Sequence, residues 1–191
     1  FSTVGGFGID GGTSSLIGSA LAESDVLNFG VFGDLSFFYD LNSLGSRHIG
    51  KNVRILLINN GEGGEFTITG HIIDNPMCGD RVHDYIAARG HYGCQSKHLV
   101  RHYAADLGFT YLTAIDKESF STAVDQFVDP SIDKPIVFEC FTTVESDRCA
   151  LQKVMVLDSY VDKSLKSELK SVAKSIVPEK MQQVLRVAIG K

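Results

Sequence analysis

Two short segments supply the oxygen atoms that a hard cation prefers. They are residues 33–36 (Gly-Asp-Leu-Ser) and 59–64 (Asn-Asn-Gly-Glu-Gly-Gly), with 22 residues between them. Asp34 offers a carboxylate, Asn60 an amide oxygen and the glycine-rich turn at Glu62 a backbone carbonyl. Mg²⁺ is usually held by one or two such protein groups together with phosphate oxygens. The two segments therefore predict a site that binds a diphosphate through a divalent cation.

Each segment follows an apolar run that would position it. Residues 27–32 predict a buried strand, and residues 53–58 predict a second strand from their length and β-branched content. The first segment also opens a helical stretch over residues 37–44, so an anion would lie at a helix N-terminus beside Asp34. Both sets of ligands would then follow the carboxyl ends of strands, where ligands bind in parallel sheets.

The rest of the chain alternates between the same two kinds of element. It predicts a helix over 97–107 that begins at Ser96 and stops at Gly108, and a strand over 111–115. A helix over 117–128 follows, beginning at Asp116, and then a strand over 136–141 behind Pro135. Alternation of this kind predicts an α/β fold, with a central, mostly parallel sheet and helices on both faces.

The two segments, in this order and at this spacing, resemble the signature of the thiamine diphosphate-dependent decarboxylases and carboligases. That signature is Gly-Asp-Gly/Leu/Ser, about two dozen residues, and then Asn-Asn. Residues 5–11, residues 33–42 and the turn ending at Phe66 are similar to the menaquinone-pathway branch of the family and to its acetolactate synthase-like members. Val4 stands where that branch has an Arg, and Glu65 where it has an apolar residue. The resemblance therefore implies the family and its thiamine diphosphate-binding fold, rather than that branch's substrate.

This resemblance implies thiamine diphosphate and Mg²⁺ (or Ca²⁺) as cofactors, with Asp34, Asn60 and the carbonyl of Glu62 on the metal. The further cofactor contacts that it implies are Gly8, Ile9, Gly33, Leu35, Ser36, Gly63, Gly64 and Phe66. It also implies a 2-oxoacid substrate and a homo-oligomeric enzyme. The glutamate that activates the cofactor is expected in a separate pyrimidine-binding domain, on the same chain or another one.

The irregular, polar residues 66–92 follow the cofactor turn and form a candidate substrate loop. Its candidate substrate contacts are His83, Asp84, Arg89 and His91. An alternative is a zinc site built from these histidines with Cys94, His98 and His102, because the last two would share a helix face. The segment lacks a second closely spaced pair of ligands, so the substrate loop is the preferred interpretation.

Composition limits the classes of protein that remain. The chain has 191 residues, a net charge of −5, and no apolar run long enough to cross a bilayer. With no export signal, the protein is expected in the cytoplasm, where its four cysteines (Cys78, Cys94, Cys140 and Cys149) would remain thiols. Because residue 1 is Phe rather than Met, we expect either a processed chain or a piece of a longer one.

The charge changes sign near residue 152. Residues 1–152 carry 10 basic against 19 acidic side chains, whereas residues 153–191 carry 8 against 4. We therefore predict a cofactor-binding domain over 1–152 and a basic, amphipathic helical tail over 153–191. The tail is expected to dock on the acidic domain or a partner subunit in preference to a membrane. Nucleic-acid binding is not expected of the acidic body.

Two other classes of function stay open. One is a noncatalytic scaffolding or regulatory domain that kept the fold. The other is a different metal-dependent, diphosphate-binding enzyme, although the usual nucleotide-binding glycine loops are absent from the sequence.

Overall fold

The computed structural model describes residues 9–63 and 95–154. Its helices are α1 (Gly12–Ala22), α2 (Asp34–Tyr39), α3 (Leu99–Asp106), α4 (Lys117–Val128) and α5 (residues 144–154), with a 3-10 helix at Leu41–Gly45. Its strands are β1 (Asn28–Gly33), β2 (Val53–Asn59), β3 (Thr110–Ala114) and β4 (Ile136–Phe141). The four strands form one sheet in the order β1-β2-β4-β3, and every pair is parallel. The predicted α/β fold with a parallel sheet is confirmed.

The helix over 117–128 and the strand over 136–141 have the predicted bounds. A capping box begins α4: the Ser119 amide donates to the Asp116 carboxylate (2.8 Å), and the Asp116 amide donates to the Ser119 hydroxyl (3.1 Å). This reciprocal pair satisfies donors that the first turn of a helix leaves free. A strong local signal of this kind explains why the sequence located the element accurately.

The first strand is at the edge of the described sheet, so the expectation that it is buried was wrong. It covers residues 28–33 rather than 27–32 and pairs only with β2 among the described strands. Phe29 and Val31 point to one face of the sheet and are 50% and 68% exposed. An apolar run alone therefore did not distinguish an edge strand from a central one.

The predicted helix over 37–44 was also wrong in its bounds. The α-helix begins at Asp34 and ends at Tyr39, and the 3-10 helix follows it. Asp40 separates the two with a non-helical backbone, and its carboxylate accepts hydrogen bonds from the amide (2.6 Å) and the hydroxyl (2.7 Å) of Ser14. A contact between residues 26 positions apart thus coincides with the end of the helix.

Two further elements, α3 and β3, differ from their predicted bounds by one or two residues at each end. Helix α3 begins at Leu99 rather than Lys97, and the hydroxyl of Ser96 accepts the amide of Leu99 at 3.1 Å. It ends before Gly108, whose φ of +82° suits glycine. Strand β3 begins at Thr110 and stops at Ala114, which leaves Ile115 outside the sheet and exposed.

Apolar clusters cover both faces of the sheet. On one face, Ile55, Leu57 and Val137 belong to a cluster that also includes residues of α1, α2 and α3. On the other face, Phe138 packs against Phe127 of α4. Helices therefore hold the strands from both sides, which fixes the edge of the sheet where the predicted ligands lie.

One charged residue lies inside this framework, near the amino end of β2. Arg54 is fully buried, and its guanidinium donates to the backbone carbonyls of five residues. They are Lys51, Val53 (3.2 Å), Phe127 (2.9 Å), Asp129 (3.0 Å) and Lys134 (3.3 Å). Arg54 thereby joins the end of α4 to the central strands, a role that its position within an apolar run did not indicate.

Contacts divide the chain into two units, Phe1–Asp147 and Arg148–Lys191. The predicted boundary at residue 152 stays a prediction, and the basic tail after residue 154 lies outside the described residues. Within the described part of the chain, no helix has the length and hydropathy needed to cross a membrane.

Candidate functional site

The predicted ligands meet at the carboxyl edge of the sheet. Because the strands are parallel, β1 ends at Gly33 beside Ile58, and β2 ends at Asn59 beside Phe141. Asp34 and Asn60 are therefore the first residues after two neighbouring strands. The structure thus places two residues that are separated in the sequence at the ends of adjacent strands, and their role as metal ligands stays a prediction.

Asp34 is buried, with 3% of its surface exposed, and one of its carboxylate oxygens has no hydrogen-bond partner. Its Oδ1 atom accepts the amide of Leu35 at 2.8 Å, whereas Oδ2 is unpaired. A buried polar atom without a partner costs about 1–3 kcal/mol, and more when it is charged. Such an atom is a candidate position for a bound cation.

The environment of Asp34 favours its protonated form. Burial raises its pKa from 3.8 to about 6, the nearby amides of Leu35 and Gly61 oppose that rise, and the negative charge of Asp147 adds to it. The influence of Gly61 and Asp147 places both groups near the carboxylate. A divalent cation would reverse the balance, because positive charge stabilises the ionised form.

Asn60 is oriented by hydrogen bonds on both sides of its amide. Its Nδ2 atom donates to Oδ2 of Asp147 at 2.8 Å, and its Oδ1 atom accepts the amide of Glu62 at 2.9 Å. Gly61 lies between them with a φ of +79°, which suits glycine. Asn60 and Glu62 therefore belong to one tight turn after β2.

Three buried side-chain oxygens have no partner within the described ranges: Asp34 Oδ2, Asn59 Oδ1 and Thr13 Oγ1. Asp34 and Asn59 lie at the carboxyl edge. Thr13 lies in the first turn of α1, next to Gly12, where an added Cβ would lie 3.4 Å from the hydroxyl of Ser36. The unpaired atoms thus lie toward one edge of the sheet, where a polar ligand would satisfy them.

Five of the other predicted cofactor contacts are described. Gly33 precedes α2 in an extended conformation, Leu35 donates its amide to Asp34, and Ser36 is buried in α2. Ile9 lies in the turn before α1, and Gly63 is buried after the turn of Asn60. The remaining predicted contacts lie outside the described residues: Gly8, Gly64, Phe66, His83, Asp84, Arg89 and His91.

The expected anion site at the N-terminus of α2 stays a prediction. Helix α2 has only six residues, and the amide of Leu35 already donates to Asp34. The amide of Glu62 likewise donates to Asn60. These two amides are therefore already bonded to protein oxygens.

A buried polar network beneath the site was not anticipated from the sequence. Glu139 is fully buried on β4, where its Oε1 atom accepts Nδ2 of Asn59 (2.7 Å) and its Oε2 atom accepts the hydroxyl of Tyr111 (2.5 Å). Burial raises the pKa of Glu139, and the two hydrogen bonds lower it. The network joins three neighbouring strands directly below the turn that carries Asn60.

Two substitutions of Glu139 distinguish the contribution of its hydrogen bonds to stability from the contribution of its volume. Glu139→Leu leaves Asn59 and Tyr111 unpaired and should reduce the free energy of unfolding by about 2–4 kcal/mol. Glu139→Gln keeps an acceptor for Asn59 and should cost less than about 1 kcal/mol at pH 7. Urea unfolding of the two variants tests this, and equal losses would contradict the hydrogen-bonding role.

A second carboxylate near the site was also missed. Asp147 follows β4 by six residues and lies in the first turn of α5. Its Oδ2 atom accepts both Nδ2 of Asn60 and the hydroxyl of Thr142 (3.0 Å). Its position in the sequence could have indicated it, because Asp147 follows a predicted strand, and parallel strands end at the same edge of a sheet.

The alternative zinc site is only partly described. The rings of His98 and His102 are 6.3 Å apart, and the remaining residues proposed for it lie outside the described ranges. Within those ranges no three His, Cys, Asp or Glu side chains come together as a metal site. Cys140 is buried and Cys149 is exposed, and both carry thiols rather than a disulfide.

Sequence comparison identifies relatives of this chain. The 2-succinyl-5-enolpyruvyl-6-hydroxy-3-cyclohexene-1-carboxylate synthase of Phocaeicola vulgatus is 37% identical over 147 residues, which is 76% of this chain and 24% of the relative. The same-named synthases of Bacteroides fragilis (37% over 141 residues; 73% of the chain, 23% of the relative) and Flavobacterium johnsoniae (34% over 148 residues; 77% and 24%) match similarly.

The chain spans about a quarter of the length of these curated relatives. No family model matches it. The matched portion of this chain is nevertheless large, and the parallel sheet agrees with the fold expected of such a domain. The chain therefore belongs to the thiamine diphosphate-dependent enzyme family that includes these synthases, and it corresponds to part of such an enzyme.

Proposed function

We propose that this chain is the diphosphate-binding domain of a thiamine diphosphate-dependent 2-oxoacid decarboxylase or carboligase. In this proposal Asp34, Asn60 and the carbonyl of Glu62 hold Mg²⁺ (or Ca²⁺), which in turn holds the diphosphate. The observation that carries the proposal is the unpaired, buried Oδ2 atom of Asp34 at the carboxyl edge of the sheet.

The donor set agrees with the chemistry of the metal. A carboxylate, an amide oxygen and a carbonyl are all hard oxygen donors, and Mg²⁺ binds such groups in preference to sulfur. Oδ1 of Asn60 accepts one hydrogen bond, from Glu62, and an amide oxygen has two lone pairs. It can therefore accept the amide and contact a cation at the same time.

The chain's own residues would bind and orient the cofactor. When bound, thiamine diphosphate supplies the chemistry that cleaves or joins bonds next to a 2-oxoacid carbonyl. The sheet holds Asp34 and Asn60 at adjacent strand ends, while the Glu139 network below them fixes the end of β2. A rigid edge of this kind would keep the diphosphate, and hence the reactive ring, in one place.

Catalysis would need more than this chain. We place the activating glutamate in a pyrimidine-binding domain, on the same polypeptide or another subunit of a homo-oligomer. The relatives' greater length is in keeping with additional domains. We also place the enzyme in the cytoplasm, where a reduced thiol such as that of Cys140 persists.

Metal-dependent cofactor binding is the direct test. We expect the purified 191-residue chain to bind thiamine diphosphate at least about tenfold more tightly with Mg²⁺ than with a chelator, because the site offers oxygen atoms rather than positive charge. Isothermal titration calorimetry under the two conditions measures the difference. Equal affinity in Mg²⁺ and in chelator would exclude the proposed metal bridge.

Two substitutions in the same turn give a matched comparison. Asn60→Ala removes a proposed ligand and should largely abolish the effect of Mg²⁺. Glu62→Ala retains the backbone carbonyl and should leave the affinity within about twofold. A loss at Glu62 as large as that at Asn60 would indicate that its carboxylate, rather than its carbonyl, binds the metal.

A further inference from the structure

We propose that Asp147 is a positioning residue for the proposed metal site. It holds the side-chain amide of Asn60 so that the amide oxygen of Asn60 faces the turn of residues 60–62. This inference rests on the proposed function, since it concerns how a proposed ligand is oriented. Asp147 lies 87 residues from Asn60 in the sequence, and it belongs to neither of the two motifs that predicted the site.

The direction of the hydrogen bond determines which end of the amide faces Asp147. An ionised carboxylate only accepts hydrogen bonds, so it pairs with the amide nitrogen of Asn60 and excludes the oxygen. The observed Nδ2 to Oδ2 distance is 2.8 Å. Oδ1 of Asn60 must then face the opposite way, toward the turn at Glu62, where it accepts the backbone amide at 2.9 Å.

Asp147 is itself held in place. Its Oδ2 atom accepts a second hydrogen bond from the hydroxyl of Thr142 (3.0 Å), and its amide donates to the carbonyl of Thr143 (3.0 Å). The amide of Thr142 donates to the carbonyl of Asn59, also at 3.0 Å. Asp147 is thus tied to the residue that directly precedes Asn60, and its position relative to that amide is well defined.

The capping hydrogen bonds at the start of α5 come from Thr143 and Ser146 rather than from the side chain of Asp147. The amide of Thr143 donates to the hydroxyl of Ser146 (3.2 Å), and the amide of Ser146 donates to the hydroxyl of Thr143 (3.1 Å). These reciprocal bonds satisfy donors of the first turn. The carboxylate of Asp147 is therefore available for Asn60 instead of being needed as a helix cap.

The charge of Asp147 supports the same role. Asp147 bonds to Asn60 after β2, and Asp34 follows the neighbouring strand β1, so two carboxylates lie at the same edge of the sheet. Mutual repulsion of the two carboxylates would be relieved by a divalent cation. Asp147 would then contribute twice: through the orientation of Asn60 and through the field at the metal.

Three variants separate these contributions from simple loss of stability. Asp147→Ala removes the acceptor, so the Asn60 amide is free to rotate, and the Mg²⁺ concentration for half-maximal cofactor binding should rise about 10–100-fold. Asp147→Asn keeps an oxygen acceptor without the charge and should recover most of that loss. Ser146→Ala weakens the start of the same helix without touching Asn60, and its Mg²⁺ requirement should match that of the unaltered chain.

The measurement is calorimetric titration of thiamine diphosphate at a series of Mg²⁺ concentrations, with a thermal unfolding curve for each variant. Thr142→Val removes the other bond to Oδ2 and gives a second test if Asp147→Ala does not fold; its Mg²⁺ requirement should rise several-fold. An unchanged Mg²⁺ requirement in Asp147→Ala, or an equal rise in Ser146→Ala, would overturn the positioning role. Absence of Mg²⁺-dependent binding in the unaltered chain would instead overturn the proposed function.

Discussion

Asp34→Asn is expected to remove cofactor binding while making the metal-free protein relatively more stable at neutral and alkaline pH. The amide lacks the negative charge that attracts Mg²⁺, so affinity for thiamine diphosphate in Mg²⁺ should fall about 100-fold or more. The gain in stability follows from the raised pKa of the buried carboxyl group, which goes from 3.8 to about 6. One substitution should therefore move function and stability in opposite directions.

The pH dependence has a definite sign. Because the folded state binds the Asp34 proton more tightly than the unfolded state, the contribution of Asp34 to the stability of the unaltered chain falls as pH rises from about 4 to about 6. Above that window the full cost of ionising a buried carboxyl group is present, and a shift of about 2 pKa units corresponds to about 3 kcal/mol. The asparagine side chain does not ionise, so the difference in unfolding free energy should change by about that amount, in favour of the variant, between about pH 4 and about pH 8.

Urea unfolding at both pH values, without Mg²⁺, measures this difference. Asp25→Asn is a suitable control, because Asp25 is an exposed carboxylate before β1, at the opposite edge of the sheet. It should alter neither the pH profile nor cofactor affinity. A constant difference between the Asp34→Asn variant and the unaltered chain across this pH range would contradict the buried, ionisable state described for Asp34.

Arg54→Met should cause a large loss of stability, about 3–5 kcal/mol. The methionine fills part of the space of the arginine stem but supplies no donors, so five backbone carbonyls lose their partner at once. Two of these carbonyls, those of Phe127 and Asp129, lie at the end of α4, where a positive charge is favourable. Arg54→Lys should also destabilise strongly, because a single ammonium group cannot reach carbonyls in so many directions.

Thermal and urea unfolding in the absence of cofactor measure the effect. For a domain of this size, a loss of this magnitude lowers the melting temperature by about 10 °C. Arg101→Met replaces an exposed arginine on α3 and should change stability by less than about 0.5 kcal/mol. A similar small change for Arg54→Met would show that the carbonyls find other partners.

The sequence located the elements that carry strong local signals. Asp116 with Ser119 marked the start of α4, and Gly108 marked the end of α3. The two motif segments located Asp34 and Asn60, because side chains after parallel strands must meet at one edge. In each case the information lay within a few residues or followed from topology alone.

What the sequence left undetermined depends on contacts between distant residues. The edge position of β1 follows from strand order, and the short length of α2 coincides with Ser14 contacting Asp40. Pairing of Asn60 with Asp147 spans 87 residues, and pairing of Asn59 with Glu139 spans 80. Neither periodicity nor composition indicates which distant residues pair. Asp147 and Glu139 could therefore be identified only from the structure.

Gln95 contacts Asn59, the residue at which β2 ends. Its side-chain nitrogen donates to the carbonyl of Asn59 at 2.6 Å, and a Cβ added to Gly61 would lie only 3.0 Å from the Gln95 Cβ. Residues 61 and 95 are thus neighbours in space. Doubling the length of a chain segment whose ends are already joined costs only about 0.6 kcal/mol. Insertions or deletions between these two anchors should therefore leave the turn at Asn60 undisturbed.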